Sequence, residues 1–360
     1  MTATDAPATA ATRPATVLVT GASGLLGGAV ARALVARGDD VRTLQRRPSG
    51  VAGASDVLGS VTDPDVVARA VDGADAVVHL AAKVSLAGAP AEFHEVNVGG
   101  TRTLLDAAAR AGVRRFVQVS SPSVAHLGTS LVGAPAGPAD PEGAHGEYAR
   151  TKAAAEVLAL GRDTGTGAES GPRVVAVRPH LVWGPGDTQL VERVVDRAAR
   201  GRLPLLGHGA ALIDTLYVDN AAEGILAALD RLADTPGVVG GRAYVLTNGE
   251  PRTVADLLSG ICRAAGVRPP AWRVPAGLAR AAGGLVEALW RVRPGADEPP
   301  MTRFLAEQLS TAHWFDQRAT HRDLRWVPAV SVDEGLRRLA AHYGGSGPAP
   351  AAEGSGAHEA

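Results

Sequence analysis

Tyr148 and Lys152 stand four residues apart in the run Tyr148-Ala-Arg-Thr-Lys152, and far upstream lies the run Thr20-Gly-Ala-Ser-Gly-Leu-Leu-Gly27. On a helix, residues four apart share a face, so a phenol and an ammonium placed this way can meet. An ammonium beside a phenol favours the phenolate and lowers a pKa that starts near ~10. Gly21, Gly24 and Gly27 permit a tight turn and close backbone approach. A helix starting among Ser23, Leu25 and Leu26 would add amides and positive potential suited to a dinucleotide pyrophosphate. The two runs together point to hydride transfer coupled to proton transfer. Alone, the glycines could be an ordinary strand-to-helix turn.

These groups need elements to carry them. Residues 16–20 read as a buried strand and residues 24–37 as the helix that follows it. Strands are expected at 41–44, 75–80, 115–120 and 174–178, and helices at 65–71 and 92–111. In the longer helix Phe93, Val96, Leu104, Leu105 and Ala108 mark the apolar side. Strands alternating with helices of this length predict an α/β fold, a Rossmann-type doubly wound parallel sheet covered on both faces. Residues 128–146 and 161–171, dense in Gly, Pro and Ala, are expected to be surface loops. After Pro185 the alternation becomes irregular, which fits a smaller C-terminal substrate-binding region over the carboxyl ends of the strands. The expected division is a disordered arm at 1–14, a dinucleotide-binding domain at 15–184, a partly interleaved substrate-binding region at 185–343 and a disordered tail at 344–360.

Composition sets the outer limits. The chain has 360 residues and a formal net charge of -1, which gives no electrostatic case for nucleic acid or an anionic membrane. Cys262 is the sole cysteine, so an internal disulfide or a cysteine-rich metal site is excluded and no metal is expected; a reducing cytoplasm suits it. Residues 1–14 lack the apolar stretch of a signal peptide. No run of about 18 apolar residues occurs; the nearest, 274–292, is broken by Arg280, Glu287 and Arg291. The reading is a soluble protein, with surface contact to a membrane the most that the apolar stretch allows.

Cofactor choice turns on the end of the second strand. An acidic residue there binds ribose hydroxyls, whereas arginine holds a 2′-phosphate. The chain has Gln45-Arg46-Arg47, while Asp39 and Asp40 precede the strand as turn residues. Arg46 and Arg47 favour NADP(H), with NAD(H) the alternative if they are only surface charge.

The T-G-A-S-G-L-L-G turn, His79-Leu-Ala-Ala82, Asn97-Val-Gly-Gly-Thr101, Ser120-Ser121, Tyr148-x-x-x-Lys152 and Arg178-Pro-His-Leu-Val-Trp-Gly-Pro-Gly186 occur in this order. In that ordered set the chain resembles an extended short-chain dehydrogenase/reductase of the NAD-dependent epimerase/dehydratase superfamily, from about Val17 to Tyr343. The resemblance implies a catalytic set of Ser121, Tyr148 and Lys152, with Ser120 the fallback serine. It further implies that Ala81, Ala82 and Pro179 lie near the nicotinamide, and that Asn97 has a proton-relay or structural role. Ser60 stands where the family often has an aspartate near the adenine, a departure from its pattern.

Within the family, sugar-nucleotide enzymes often carry an arginine before the segment matching Tyr217-Val-Asp219, where this chain has Leu212-Ile213-Asp214-Thr215. Acidic residues typical of sugar dehydratases after the catalytic hydroxyl are replaced by Pro122-Ser123-Val124. Arg178-Pro-His180, Gly201-Arg-Leu203, Tyr217-Val-Asp-Asn220 and Glu298-Pro-Pro-Met-Thr302 resemble the 3β-hydroxysteroid dehydrogenase-like branch. That likeness implies an oxidoreductase interconverting a secondary alcohol and a ketone on an apolar small molecule, a steroid, sterol or long-chain 3-oxoacid. Lys83, Ser123, His180 and Trp183 are the candidate substrate contacts, His180 being equally suited to a structural role. The spacing of Leu278, Ala282, Leu285, Val286, Leu289 and Trp290 suggests a helix with an apolar stripe, either packed on its own domain or lining a greasy pocket. Related enzymes often form homodimers through the helix that carries the Tyr–Lys pair. The rival readings are a nucleotide-sugar epimerase, dehydratase or reductase, and a non-catalytic cofactor-binding regulator.

Overall fold

A computed structural model of the chain describes residues 15–84, 88–125, 129–163, 165, 171–275, 277 and 311–345. The expected arm at 1–14, the apolar stripe at 278–290, the segment 298–302 and the tail beyond 345 lie outside the described residues.

The central element is a seven-stranded parallel sheet of β1 (Thr16–Thr20), β2 (Asp40–Gln45), β3 (Ala54–Leu58), β4 (Ala76–His79), β5 (Arg115–Val119), β7 (Arg173–Pro179) and β12 (Ala243–Leu246). Their spatial order is β12-β7-β5-β4-β1-β2-β3. The direction of winding reverses between β1 and β4, the position where open sheets of this kind receive a ligand. Most of these strands are short apolar runs buried on both faces, as parallel strands under two helical layers must be. One layer holds α1 (Leu25–Arg37) and α7 (Val218–Asp234), which share a core with Val17, Val19, Val117 and Val177. The other holds α2 (Pro64–Val71), α4 (Gly100–Arg110) and α5 (Glu147–Leu160), packed on Leu18, Val77, Phe116 and Val174.

The helix expected over 92–111 is one continuous run, α3 (Pro90–Phe93), a π-turn at His94–Gly99 and then α4. Other features depart from the sequence reading. β3 is an edge strand whose residues are mostly exposed, so its Ala-Ser-Asp-Val-Leu lacks the apolar run that marked the other strands. Within the expected loop at 128–146, β6 (Leu131–Ala134) pairs in parallel with β15 (His313–Phe315). Asp40 is the first residue of β2 rather than a turn residue.

A small second sheet, in the order β13-β10-β15-β6, joins β10 (Leu212–Ile213) and β13 (Arg252–Thr253) to that pair. Two two-stranded pieces, β8 (Val182–Trp183) with β11 (Leu216–Tyr217) and β9 (Leu205–Leu206) with β14 (Arg273–Val274), complete the strands. Helices α6 (Val191–Ala199), α8 (Pro236–Val239), α9 (Val254–Ala264), Arg318–Leu324 and Val332–Gly345 pack around them. The last runs to Gly345, past the point where the tail was expected to begin.

Candidate active site

The site lies along the carboxyl ends of β1, β4, β5 and β7. After β1 the chain turns at Gly21, whose φ of 78° favours glycine, and a Cβ there would lie 3.0 Å from the Ala81 nitrogen. At Gly27 a Cβ would lie 2.3 Å from the Gly21 carbonyl oxygen, so any larger residue must open the turn. The Gly24 amide is taken by Gly21 O at 3.1 Å, and α1 begins with no side-chain cap and no acidic residue in its first turn. The amides at Leu25, Leu26 and Gly27 therefore begin the helix without intrahelical partners, beside the exposed Ser23 and Gly24. Such a turn fits an anionic pyrophosphate. Arg46 and Arg47 are exposed just past β2, and among the described residues neither is held in an ion pair. Ser60 hydrogen-bonds Thr62 at 2.8 Å.

Beneath this turn runs a buried polar chain that the sequence reading did not assign. Thr20 Oγ1 lies 2.7 Å from His79 Nδ1, and His79 Nε2 lies 3.0 Å from Thr101 Oγ1. Thr101 donates its only hydroxyl hydrogen to Asn97 O at 2.6 Å, so it must accept from His79, which fixes the Nε2–H tautomer. Thr20 then donates to Nδ1 while its oxygen accepts the Leu80 and Ala81 amides at 3.1 and 3.0 Å. Every member is satisfied, and the loop carrying Ala81 and Ala82 is pinned to β1. Burial, with the Lys152 charge adding to it, pushes the His79 pKa down to about 3, so the ring stays neutral. The π-turn aims Asn97 inward: its Oδ1 accepts from Lys83 N at 2.7 Å and its Nδ2 donates to Thr151 Oγ1 at 2.9 Å. Asn97 thus ties the β4 loop to α5, the structural of its two expected roles.

Ser121, Tyr148 and Lys152 converge at the mouth of the sheet. Ser121 Oγ accepts from Ser123 N at 3.3 Å and Ser123 Oγ at 2.9 Å, so its own hydrogen is turned away from Ser123 and is available to the Tyr148 phenol, whose pKa Ser121 draws down. Ser120 is buried and its hydroxyl has no partner among the described residues, which sets Ser121 apart as the serine beside the tyrosine. Tyr148 is half-buried. Burial pushes its pKa up to about 12, against the pull of Ser121. The expected lowering by Lys152 does not occur here, because the ammonium turns to the β5 end and donates to Val119 O at 2.6 Å. Burial lowers Lys152 itself to about 8, while Glu156, one turn further along α5, pulls it up. Glu156 is in turn held by Arg178, Nε to Oε2 at 2.9 Å and Nη2 to Oε1 at 2.5 Å, with both side chains 1% exposed. Glu156 and Arg178 had a readable signal, an acid four residues past the lysine and the arginine opening Arg178-Pro-His180.

The expected substrate contacts fare unequally. Trp183 is fully buried, its Nε1 donating to Thr215 Oγ1 at 2.9 Å and its indole edge-on to Tyr217 at 5.4 Å, so it packs in the core. Ser123 is buried and acts on Ser121. His180 donates from Nδ1 to Asp214 O at 2.7 Å and packs edge-on to Phe315 at 5.1 Å, the structural alternative. Lys83 pairs with Glu92 at 2.7 Å and lies over the Phe93 ring, so a substrate would have to draw it away. Pro179, buried, ends β7 beside the crevice. Ile213, where sugar-nucleotide enzymes place an arginine, is 2% exposed and part of the core.

Residues 17–245 match the model of the NAD dependent epimerase/dehydratase family. The chain belongs to that family. A 2-alkyl-3-oxoalkanoate reductase of Stenotrophomonas maltophilia is 40% identical over 334 residues, covering 90% of this chain and 98% of the relative. A 3 beta-hydroxysteroid dehydrogenase/Delta 5-->4-isomerase of Mycobacterium tuberculosis is 32% identical over 342 residues, covering 91% and 90%. Among solved structures, that of the dTDP-glucose 4,6-dehydratase DesIV of Streptomyces venezuelae with NAD bound matches with a TM-score of 0.67 at 26% identity, covering 91% of this chain and 96% of that one. Among the described residues no helix is long and apolar enough to cross a membrane.

Proposed function

We propose that the chain is an NADP(H)-preferring oxidoreductase that interconverts a secondary alcohol and a ketone on an apolar substrate of the sterol or long-chain 3-oxoacid type. The observation that carries this is the placement of Ser121 beside the Tyr148 phenol, whose pKa burial pushes up to about 12, so that it keeps its proton at neutral pH. A phenol so held is a proton donor, the role that carbonyl reduction needs. The nicotinamide, when bound, supplies the hydride. Gly21, Ser23, Gly24, Leu25, Leu26 and Gly27 would hold the pyrophosphate, and Ala81, Ala82 and Pro179 would border the nicotinamide. Arg46 and Arg47 would hold a 2′-phosphate.

Ser121 and Tyr148 then orient the carbonyl oxygen, and Tyr148 Oη delivers the proton. Lys152, held by Val119 O and near its own titration point, sets the local charge and reaches the ribose. The relatives named as a 2-alkyl-3-oxoalkanoate reductase and a 3 beta-hydroxysteroid dehydrogenase support the apolar substrate. The buried Ile213 gives a sugar diphosphate no cation at that position. A homodimer formed through α5 belongs to the same reading, and Val157, 50% exposed there, is an apolar side chain such a contact would cover. The test is consumption of NADPH with 3-oxoacids and 3-ketosteroids, set against UDP- and dTDP-sugars. Turnover of the sugars alone would overturn the proposal.

A further inference from the structure

An apolar cavity of about 200 Å³ lies against Pro122, the residue that follows Ser121. Pro122 and Ala125 of the 3₁₀ turn form one wall, Leu131 and Ala134 of β6 a second, and Val245 with Phe315 close it. One wall is thus carried by the residue next in the chain to the serine assigned to the substrate oxygen. Among the described residues its lining holds no charged or hydroxyl side chain. The Ala136 carbonyl, on the same rim, is taken by the Arg178 guanidinium and so is not left to face a ligand. Phe315 is fixed by its edge-on contact with His180 and by pairing with Ala134, so this wall is built in advance of any ligand. An apolar cavity of about 150 Å³ holds a benzene ring, so there is room here for an alkyl arm of about six carbons.

We propose that this cavity is the subsite for an unbranched alkyl arm borne next to the reacting carbonyl. The assignment rests on the ketone-reductase reading above and adds to it a determinant of chain length. A phosphate or sugar hydroxyl would lose its hydration here with no partner to replace it, whereas each methylene gains.

The experiment measures kcat/KM for a ketone series that differs only in the length of this arm. Values should rise about fourfold per methylene, the equivalent of ~0.8 kcal/mol, until the cavity is full, and then level off. Ala134→Phe should bring the plateau to a shorter arm and cut the ratio of long-arm to short-arm kcat/KM by about tenfold or more. Ala125→Leu fills the same space from the opposite wall and serves as the second variant. A flat dependence on arm length in the native enzyme overturns the proposal. So does an unchanged dependence in both variants that retain the native Tm and NADPH binding. In either case turnover of short-arm ketones by the native enzyme keeps the function itself standing. No turnover of any ketone in the series overturns both.

Discussion

Proton delivery depends on the company the Tyr148 hydroxyl keeps. Ser123 saturates Ser121 as an acceptor, so the Ser121 hydrogen and the phenol's own hydrogen are both left for a substrate oxygen. Tyr148→Phe should therefore lower kcat by about 10²–10⁴-fold while the Tm rise given by NADPH is retained. Substantial remaining activity would rule out the assigned donor. At the other end of the site, Arg46→Ala or Arg47→Ala should weaken NADPH binding by about 10- to 100-fold, the loss of one or two charge-assisted hydrogen bonds, with NADH affinity almost unchanged. Titrating both cofactors by fluorescence separates the phosphate contact from ordinary surface charge. The residue types and order of the site were readable from the chain, but the direction of Lys152 was not. Spacing of four puts two side chains on one face, yet it does not say which acceptor a flexible ammonium takes, and Val119 O outcompetes the phenol in this structure.

The elements are held in place by close contacts and by buried charge. A methyl at position 27 would meet the Gly21 carbonyl at 2.3 Å, so Gly27→Ala should destabilise the fold by about 1–3 kcal/mol and abolish cofactor-induced stabilisation in the same melting experiment. The buried Arg178–Glu156 pair joins β7 to the helix that carries Tyr148 and Lys152. Arg178→Met should cost about 3–5 kcal/mol by leaving Glu156 charged and unpaired, and the double variant with Glu156→Leu should recover most of that loss in urea melts. Apolar periodicity made α1, α2 and the sheet centre legible. It missed β3 and β6, which are short, poor in β-branched residues and defined by pairing partners distant in sequence. The π-turn was likewise invisible, since it changes the helix repeat at only a few positions around Asn97.

Taken as a whole, the molecule places a polar, fully satisfied network under the cofactor end and apolar surface at the substrate end. The connection between the two includes Asp214, buried and accepting from Thr247 Oγ1 at 2.8 Å and Glu250 N at 3.2 Å. Burial raises its carboxyl to about 6 from the ordinary 3.8, although those hydrogen bonds pull the other way. Between these two values the folded state keeps a proton that the unfolded chain has released. That stabilisation is complete below about pH 4 and is lost as pH rises through about 6. Asp214→Asn should remove this component, so the difference in Tm between variant and native protein should change across that window and stay constant above it. A difference independent of pH would show that Asp214 ionises normally.

The central claim, ketone reduction by Ser121, Tyr148 and Lys152 with NADPH, is tested most directly by single-turnover oxidation of enzyme-bound NADPH on mixing with a long-chain 3-ketone. The account predicts rapid loss of the reduced-nicotinamide absorbance in the native protein, and a rate at least about 10²-fold slower in Tyr148→Phe loaded with the same cofactor. Equal rates in the two proteins, or no oxidation in the native one, would contradict it.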